Sequence, residues 1–208
     1  MGVARDERRQ LCDLLDRVGP DEPTLCAGWR TRDLAAHLVL RERRPDASPG
    51  IVLRPLAGYT ALVQRRLASR PWGELVRTLR QGPPRWSPFA IPGVDEAVNG
   101  TEFFVHHEDV RRAREGWAPR PADPARDAMA WRALARIGRL TFRRCPVGVA
   151  LRRPNGEEVL ARRGPRAVTV VGAPGELLLY AFGREAVEVE FEGDQADVQA
   201  VRGLRRGL

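Results

Sequence analysis

Apolar residues recur at helical spacing through the first two thirds of the chain. Leu11, Leu14 and Leu15 share one face of a helix that Gly19-Pro20 ends. The pattern predicts a helix from Thr31, as the capping residue, to Pro45, and another over about 57–80 with a break near Pro71. Further helices are predicted from near Val94 to an end by Gly116, and from a cap at Asp123 to about Phe142. This part of the chain is therefore predicted to be helical.

The pattern changes after Cys145-Pro146. Short apolar runs predict strands over 147–151, 157–161 and 167–171, and Pro154-Asn155-Gly156 is a hairpin signal between the first two. A helix from Pro174 to Gly183, an alternating strand over 187–191 and a last helix capped by Asp194 follow. We therefore predict a helical bundle over residues 1–143 and a small α+β domain over residues 144–208.

Composition is that of an ordinary globular protein, with 43% hydrophobic and 30% charged residues. No run approaches the roughly 20 apolar residues of a membrane span, and the N-terminus is charged where a signal peptide is apolar. We expect a cytoplasmic protein without a membrane partner. The three cysteines, Cys12, Cys26 and Cys145, are widely spaced and are predicted to be packing residues rather than a disulfide framework or a zinc ribbon.

The net charge of +8 does not by itself favour a nucleic-acid partner. All 35 basic residues are arginine, and acidic residues are interleaved with them throughout. A phosphate-binding surface has no reason to exclude lysine, and no recognition motif accompanies the charge. Nucleic-acid binding, which would show a steep salt dependence, is therefore disfavoured. The sequence leaves the oligomeric state open.

Candidate chemistry lies with the three histidines, His37, His106 and His107. Glu102 and His106 are four residues apart and share one face of a predicted helix, with Asp109 three residues further on. A buried carboxylate and imidazole need a partner, and a divalent cation is one that both can ligate. An ordinary hydrogen-bonded pair on the helix is the alternative, because such pairs are common.

His37 lies among apolar residues of another predicted helix and is the candidate third ligand. Two histidines and one carboxylate leave a coordination position open, as in catalytic zinc sites, and the same set suits iron, nickel or manganese. The alternative is a core histidine held by a hydrogen bond. His107 points roughly 100° away from His106. It either hydrogen-bonds elsewhere or takes the place of His106 as ligand.

Two runs of sequence resemble a known family. The run 25–38, Leu-Cys-Ala-Gly-Trp-Arg-Thr-Arg-Asp-Leu-Ala-Ala-His-Leu, resembles the Trp…Asp-Leu-x-x-His-Leu motif of mycothiol-dependent maleylpyruvate isomerases. The run 99–110 resembles their second motif, Glu-x-x-x-His-x-x-Asp, and the C-terminal part is similar to their small second domain. That family belongs to the DinB-like group of metal-binding four-helix bundles. The resemblance therefore implies a DinB-like four-helix bundle followed by a small α+β domain.

The resemblance also implies site residues and partners. His37, Glu102 and His106 would bind a divalent metal, zinc first, and Asp109 would orient a ligand imidazole. The metal would bind and activate mycothiol or a similar small thiol, which then attacks an electrophilic substrate. Arg41 and Arg184 are the candidate clamps for a dicarboxylate substrate.

Two sequence features depart from the isomerases. His107-Glu108 follows His106 where those enzymes carry a small and an aromatic residue, and the loop 42–47 also differs. The resemblance therefore implies a separate metal-binding subgroup and does not fix the substrate. Two hypotheses follow, a metal- and thiol-dependent transferase or isomerase and a non-catalytic, metal-stabilised binding module. An exchangeable water on the metal would favour the enzyme.

Overall fold

The computed structural model describes residues 2–87, 90, 93 and 95–206, without the side chains at 95 and 97. The chain forms two compact units, Met1–Trp117 and Ala118–Leu208, called here the N-terminal and C-terminal units. The sequence placed the division at residue 143. The structure divides the chain earlier, because the helix Pro124–Thr141 packs on elements that follow it in the chain.

The N-terminal unit is helical. Its helices are α1 (Val3–Val18), α2 (Thr31–Arg43), α3 (Ala57–Ala68), α4 (Trp72–Arg80) and α5 (Gly100–Arg111). Gly19 ends α1 with a φ of 83°, which a residue with a side chain rarely adopts. Pro71 precedes α4 and separates it from α3, as the sequence predicted.

Two helix starts differ from the sequence prediction. Thr31 is the first residue of α2 rather than its cap; the Asp33 carboxylate accepts the N–H of Arg30, and the Thr31 hydroxyl donates to the carbonyl of Gly19. The helix predicted from Val94 begins, within the described residues, as a π-helical turn over Asp95–Asn99 that leads into α5. Val94 itself lies outside the described residues. α5 ends at Arg111, in agreement with the prediction that the helix ends by Gly116.

The core of the N-terminal unit is aliphatic. α1 packs against α4 and α5, and α2 packs against α3 and α4. Fully buried leucines from three of these helices, including Leu11, Leu34 and Leu79, form its centre. Burying a leucine side chain contributes roughly 1.5–3 kcal/mol. This packing fixes α2 and α5, which also carry buried polar side chains.

The C-terminal unit combines α6 (Pro124–Thr141), a four-stranded sheet and two short helices. Its other elements are β1 (Gly148–Arg152), β2 (Glu158–Arg162), β3 (Ala167–Val171), α7 (Pro174–Ala181), β4 (Glu190–Glu192) and α8 (Gln195–Arg202). The strand order is β2-β1-β3-β4; β1 pairs antiparallel with β2 and parallel with β3, and β4 pairs antiparallel with β3. Asp123 and Asp194 cap α6 and α8 through side-chain hydrogen bonds, as predicted.

The last strand is shorter than the alternating pattern predicted. The backbone N–H of Glu188 donates to the Glu176 carboxylate of α7 at 2.8 Å, so this part of the chain bonds a helix side chain and the described strand begins only at Glu190. The protein is thus mostly helical with a small sheet in its C-terminal unit. Among the residues described, no helix combines the length and the apolar character needed to cross a membrane.

Candidate metal centre

Two helices of the N-terminal unit bring three predicted ligands together. His37 lies on α2, and Glu102 and His106 lie one turn apart on α5. Glu102 Oε1 is 3.2 Å from His37 Nε2 and 3.3 Å from His106 Nε2. The two imidazole centroids are 5.4 Å apart. One carboxylate oxygen therefore sits between two ring nitrogens that come from different helices.

The donor set fits a divalent cation. The three donor atoms lie within 4.8 Å of one another, and they are two imidazole nitrogens and one carboxylate oxygen. Each is a ligand that zinc takes in proteins, and three protein ligands leave a fourth position for an exogenous group. His37 and His106 are 7% and 8% exposed, whereas the Glu102 side chain is 24% exposed. The two imidazoles are therefore buried, and the Glu102 side chain that joins them is partly exposed.

Asp109 lies behind His106. Its carboxylate is fully buried, and Oδ2 is 2.9 Å from His106 Nδ1. A carboxylate there accepts the Nδ1 proton, which leaves Nε2 as the nitrogen with a lone pair for a metal. The spacing of the two residues predicted only that they share one side of α5; the orienting role of Asp109, which the resemblance implies, stays a prediction.

The fold matches that of two solved structures. One is mycothiol-dependent maleylpyruvate isomerase, with a TM-score of 0.59 at 18% sequence identity. The other is a point mutant of that isomerase, with a TM-score of 0.62 at 16% identity. Each match covers 92% of this chain and 91% of the other. The chain has the fold of this isomerase. Scans against family models and curated proteins gave no match.

Burial and hydrogen bonding set the pKa values in the cluster. Burial lowers the pKa of His37, which favours its neutral form. Burial acts to raise the pKa of Glu102, but hydrogen bonds from both histidines and the Arg41 charge outweigh it and hold the pKa well below its usual range. Burial acts to lower the pKa of His106, but hydrogen bonds with Asp109, Cys26 and Glu102 raise it well above its usual range. The metal-free cluster therefore keeps Glu102 as a carboxylate.

Arg41 extends the polar cluster along α2. Its Nε is 3.7 Å from Glu102 Oε1, and its Nη1 donates to the side-chain oxygen of Asn99. The Asn99 amide donates to the Glu42 carboxylate at 3.2 Å, and Glu42 pairs with Arg8. Sequence analysis predicted Arg41 as a substrate clamp; the structure places it beside the carboxylate of the candidate centre.

The other two candidates lie elsewhere. His107 points away from the centre, and its Nδ1 is 3.0 Å from the buried carboxylate of Glu7. The sequence left two alternatives for His107, a hydrogen bond elsewhere or the place of His106 as ligand, and the structure shows the hydrogen bond. Arg184 belongs to the C-terminal unit, where it follows α7 and donates to the Phe182 carbonyl at 2.8 Å. A substrate role for Arg184 stays a prediction.

Cys26 was predicted to be a packing residue, and the structure gives it a further polar role. Its Sγ donates to Asp109 Oδ2 at 3.2 Å and lies 3.8 Å from His106 Nδ1. Within the part of the chain that the structure describes, Cys26, His106 and Asp109 form a second group with metal-ligand spacing. Nothing in the sequence signals this, because 80 residues separate Cys26 from His106.

Proposed function

We propose that this protein binds one divalent metal ion, zinc first among the candidates, through His37, Glu102 and His106. We further propose that it uses the ion, with mycothiol or a similar small thiol as cosubstrate, to isomerise or modify an electrophilic small molecule. The observation that carries the proposal is the convergence of His37 Nε2, Glu102 Oε1 and His106 Nε2. The fold shared with mycothiol-dependent maleylpyruvate isomerase supports the choice of chemistry.

Charge balance supports an anionic ligand at this centre. A dication held by two neutral imidazoles and one carboxylate retains a net positive charge, and Arg41 adds a second positive charge beside Glu102. When bound, the ion would supply the field that keeps a thiol deprotonated near neutral pH. The chain's own residues then orient the site: Asp109 fixes the His106 ring, and the thiol would enter beside Glu102, whose side chain is 24% exposed.

The first test is the metal content of the purified protein, measured by mass spectrometry before and after zinc reconstitution. We expect about one ion per chain in the wild type, as in mononuclear sites of this ligand type, and loss in His37→Ala and Glu102→Gln. His107→Ala is the matched control, because it removes a buried imidazole outside the centre. A wild-type protein that takes up no metal would overturn the proposal.

The second test is turnover. Metal-loaded protein is assayed with mycothiol and other small thiols against a panel of electrophiles that begins with maleylpyruvate. We expect turnover that requires both metal and thiol and that disappears in the metal-free Glu102→Gln variant. Metal-loaded protein that no thiol stimulates on any electrophile would contradict the catalytic part of the proposal.

One observation favours the alternative, a non-catalytic module stabilised by metal. Glu102 pairs with a buried imidazole from each of α2 and α5, so the cluster already links two helices of the N-terminal unit, which is what a structural metal site would do. This alternative predicts that ligand substitutions lower the thermal stability while no activity exists to lose. A fourth protein ligand on the bound metal would support it; an exchangeable water would support the enzyme.

The remaining details of the assignment are part of the same proposal. We infer that α1, α2, α5 and the α3–α4 pair form the four-helix bundle of DinB-like proteins. Arg41 and Arg184 remain the proposed contacts for an anionic substrate. A cellular thiol as cosubstrate is consistent with the predicted cytoplasmic location.

A further inference from the structure

One short turn before α2 touches both imidazoles of the candidate centre. Cys26 lies against His106 and Asp109, and the Trp29 ring lies 5.0 Å from the His37 ring, centroid to centroid. We propose that the turn over residues 24–29, called here the clasp, positions both metal-binding histidines, with Cys26 and Trp29 as positioning residues. This inference rests on the proposed metal centre, and nothing in the fold comparison assigns it.

The clasp is held in one conformation by its own hydrogen bonds. The Thr24 hydroxyl accepts the N–H of Cys26 at 3.2 Å and donates to the carbonyl of Trp29 at 2.9 Å. Gly28 has a φ of 77°, a conformation that a residue with a side chain rarely adopts. Pro23 and Arg30 form an isolated antiparallel bridge that closes the turn. Cys26 and Trp29 are therefore presented from a fixed frame.

Within the clasp, Cys26 acts on His106 through Asp109. The Cys26 thiol and His106 Nδ1 both approach the same carboxylate oxygen, Oδ2, at 3.2 and 2.9 Å. The N–H of Leu25 also donates to the backbone carbonyl of Asp109 at 3.0 Å. The clasp thus holds Asp109 by its backbone and by its side chain. Because Asp109 fixes the His106 ring, the contact of the clasp with Asp109 also holds the orientation of His106 Nε2, the nitrogen that faces Glu102.

Trp29 of the clasp acts on His37, the other histidine of the candidate centre. The Trp29 and His37 rings are inclined by 48°, and Trp29 itself packs against the aliphatic core. A ring held against an imidazole restricts its rotation about χ2, which has no strong intrinsic preference. His37 Nε2 therefore stays directed at Glu102 Oε1.

The positions of Cys26 and Trp29 indicate that neither residue is itself a metal ligand at this centre. The sulfur contacts the Nδ1 side of His106, whereas Glu102 lies at Nε2. The Trp29 contact is between rings. The expected consequence of weakening the clasp is a looser metal site in a protein that remains folded.

The test is a titration of the full chain with Co²⁺, followed by its near-ultraviolet and visible absorption spectrum. Cys26→Ala removes the thiol donor, and Cys26→Ser replaces it with a hydroxyl donor. Trp29→Leu removes the ring, and Trp29→Phe keeps one. Cys145→Ala and Trp72→Leu are the matched controls, because Cys145 lies in the C-terminal unit and Trp72 packs on the same core through α4. Thermal melting of the metal-free proteins reports the stability of each variant.

We expect Cys26→Ala and Trp29→Leu each to weaken Co²⁺ binding roughly tenfold, the lower end for groups that orient a metal ligand. Both should alter the visible bands, whereas Cys26→Ser and Trp29→Phe recover most of the affinity. The control variants should bind like the wild type at whatever melting temperature they show. A spectrum without a sulfur-to-cobalt charge-transfer band in the wild type would confirm that Cys26 is not a ligand.

Three outcomes would overturn the inference. Wild-type protein that binds no Co²⁺ would overturn both the metal centre and the clasp. Wild-type binding with unchanged affinity and spectrum in Cys26→Ala and Trp29→Leu would overturn the clasp alone, even if both variants melt earlier. A thiolate charge-transfer band in the wild type would show Cys26 as a ligand and contradict its positioning role.

Discussion

His106 and His107 are neighbours on α5 with similar surroundings and different partners. Both are buried, at 8% and 5% exposure, and both place Nδ1 about one hydrogen bond from a buried carboxylate, at 2.9 Å from Asp109 and 3.0 Å from Glu7. The two histidines differ in whether other candidate metal ligands lie beside them. His106 also faces Glu102, beside His37, while His107 belongs to neither metal-ligand group found among the described residues.

The comparison shows that a buried histidine–carboxylate pair is not by itself evidence of a site. Such a pair satisfies two polar groups that would be costly to bury alone. What distinguishes His106 is that its Nε2 faces Glu102, which also pairs with His37 of α2, and that Cys26 of the clasp approaches its Nδ1. We therefore expect substitutions around His106 to change metal binding and substitutions around His107 to change stability.

Alanine substitution of the two histidines should give the largest contrast. His106→Ala removes one of three ligands, so metal should no longer be retained through desalting. His107→Ala should keep the metal and lower the free energy of unfolding by roughly 1–3 kcal/mol, because the Glu7 carboxylate loses a buried partner. Metal analysis and urea denaturation of both variants measure this. Equal metal loss in the two variants would contradict the distinction.

The two glutamates sharpen the contrast without changing side-chain size. Glu102→Gln replaces an anionic ligand by a weak neutral one and should lower the affinity for zinc by well over an order of magnitude. Glu7→Gln should leave the affinity within about twofold, since Glu7 bonds His107 and not the centre. Competition with a chelating dye measures both affinities. A weaker site in Glu7→Gln would show that the two histidines are coupled.

Substitution of the carboxylate behind His106 should have a smaller effect. Asp109→Asn keeps the shape but weakens the acceptor for the Nδ1 proton, so zinc affinity should fall about tenfold to a hundredfold. The three ligands remain, so saturating zinc should still fill the site. If Asp109→Asn binds zinc as the wild type does, the orienting role of Asp109 is wrong.

The smallest expected effect separates two cysteines of the N-terminal unit. Burial raises the pKa of Cys12 to about 12, so its thiol stays protonated and resists alkylation by iodoacetamide at about pH 8. Cys26 is half-buried and should be alkylated first. Peptide mass spectrometry identifies the modified residue, and rapid labelling of Cys12 would contradict its burial.

Since the pKa of the Cys12 thiol is raised above its usual 9.0, the contribution of Cys12 to the free energy of unfolding should fall as the pH rises from 9.0 towards 12.

Local signals in the sequence predicted most of the elements. The end of α1 at Gly19, the break at Pro71 and the caps at Asp123 and Asp194 depend on residues within one turn of the feature. The parallel pairing of β1 with β3 and the place of α6 in the C-terminal unit depend on contacts between distant segments, and the sequence did not predict them.

In the candidate centre too, local spacing predicted some of the contacts, and contacts between distant segments could not be predicted. The i,i+4 and i,i+3 spacings placed Glu102, His106 and Asp109 on one helix face, and the apolar setting of His37 made it the candidate third ligand, in agreement with the resemblance. The approach of Cys26 to Asp109 joins residues 83 apart and has no periodic signature. The partner of His107 lies 100 residues away on α1, so the sequence left the role of that histidine open.

A crystal structure of the zinc-reconstituted protein, with anomalous scattering recorded at the zinc edge, would show whether zinc binds between α2 and α5. We expect one anomalous peak between His37 Nε2, the Glu102 carboxylate and His106 Nε2, with a coordination position left to solvent. A peak at Cys26 and Asp109 instead, or no peak in fully reconstituted crystals, would contradict the proposed centre.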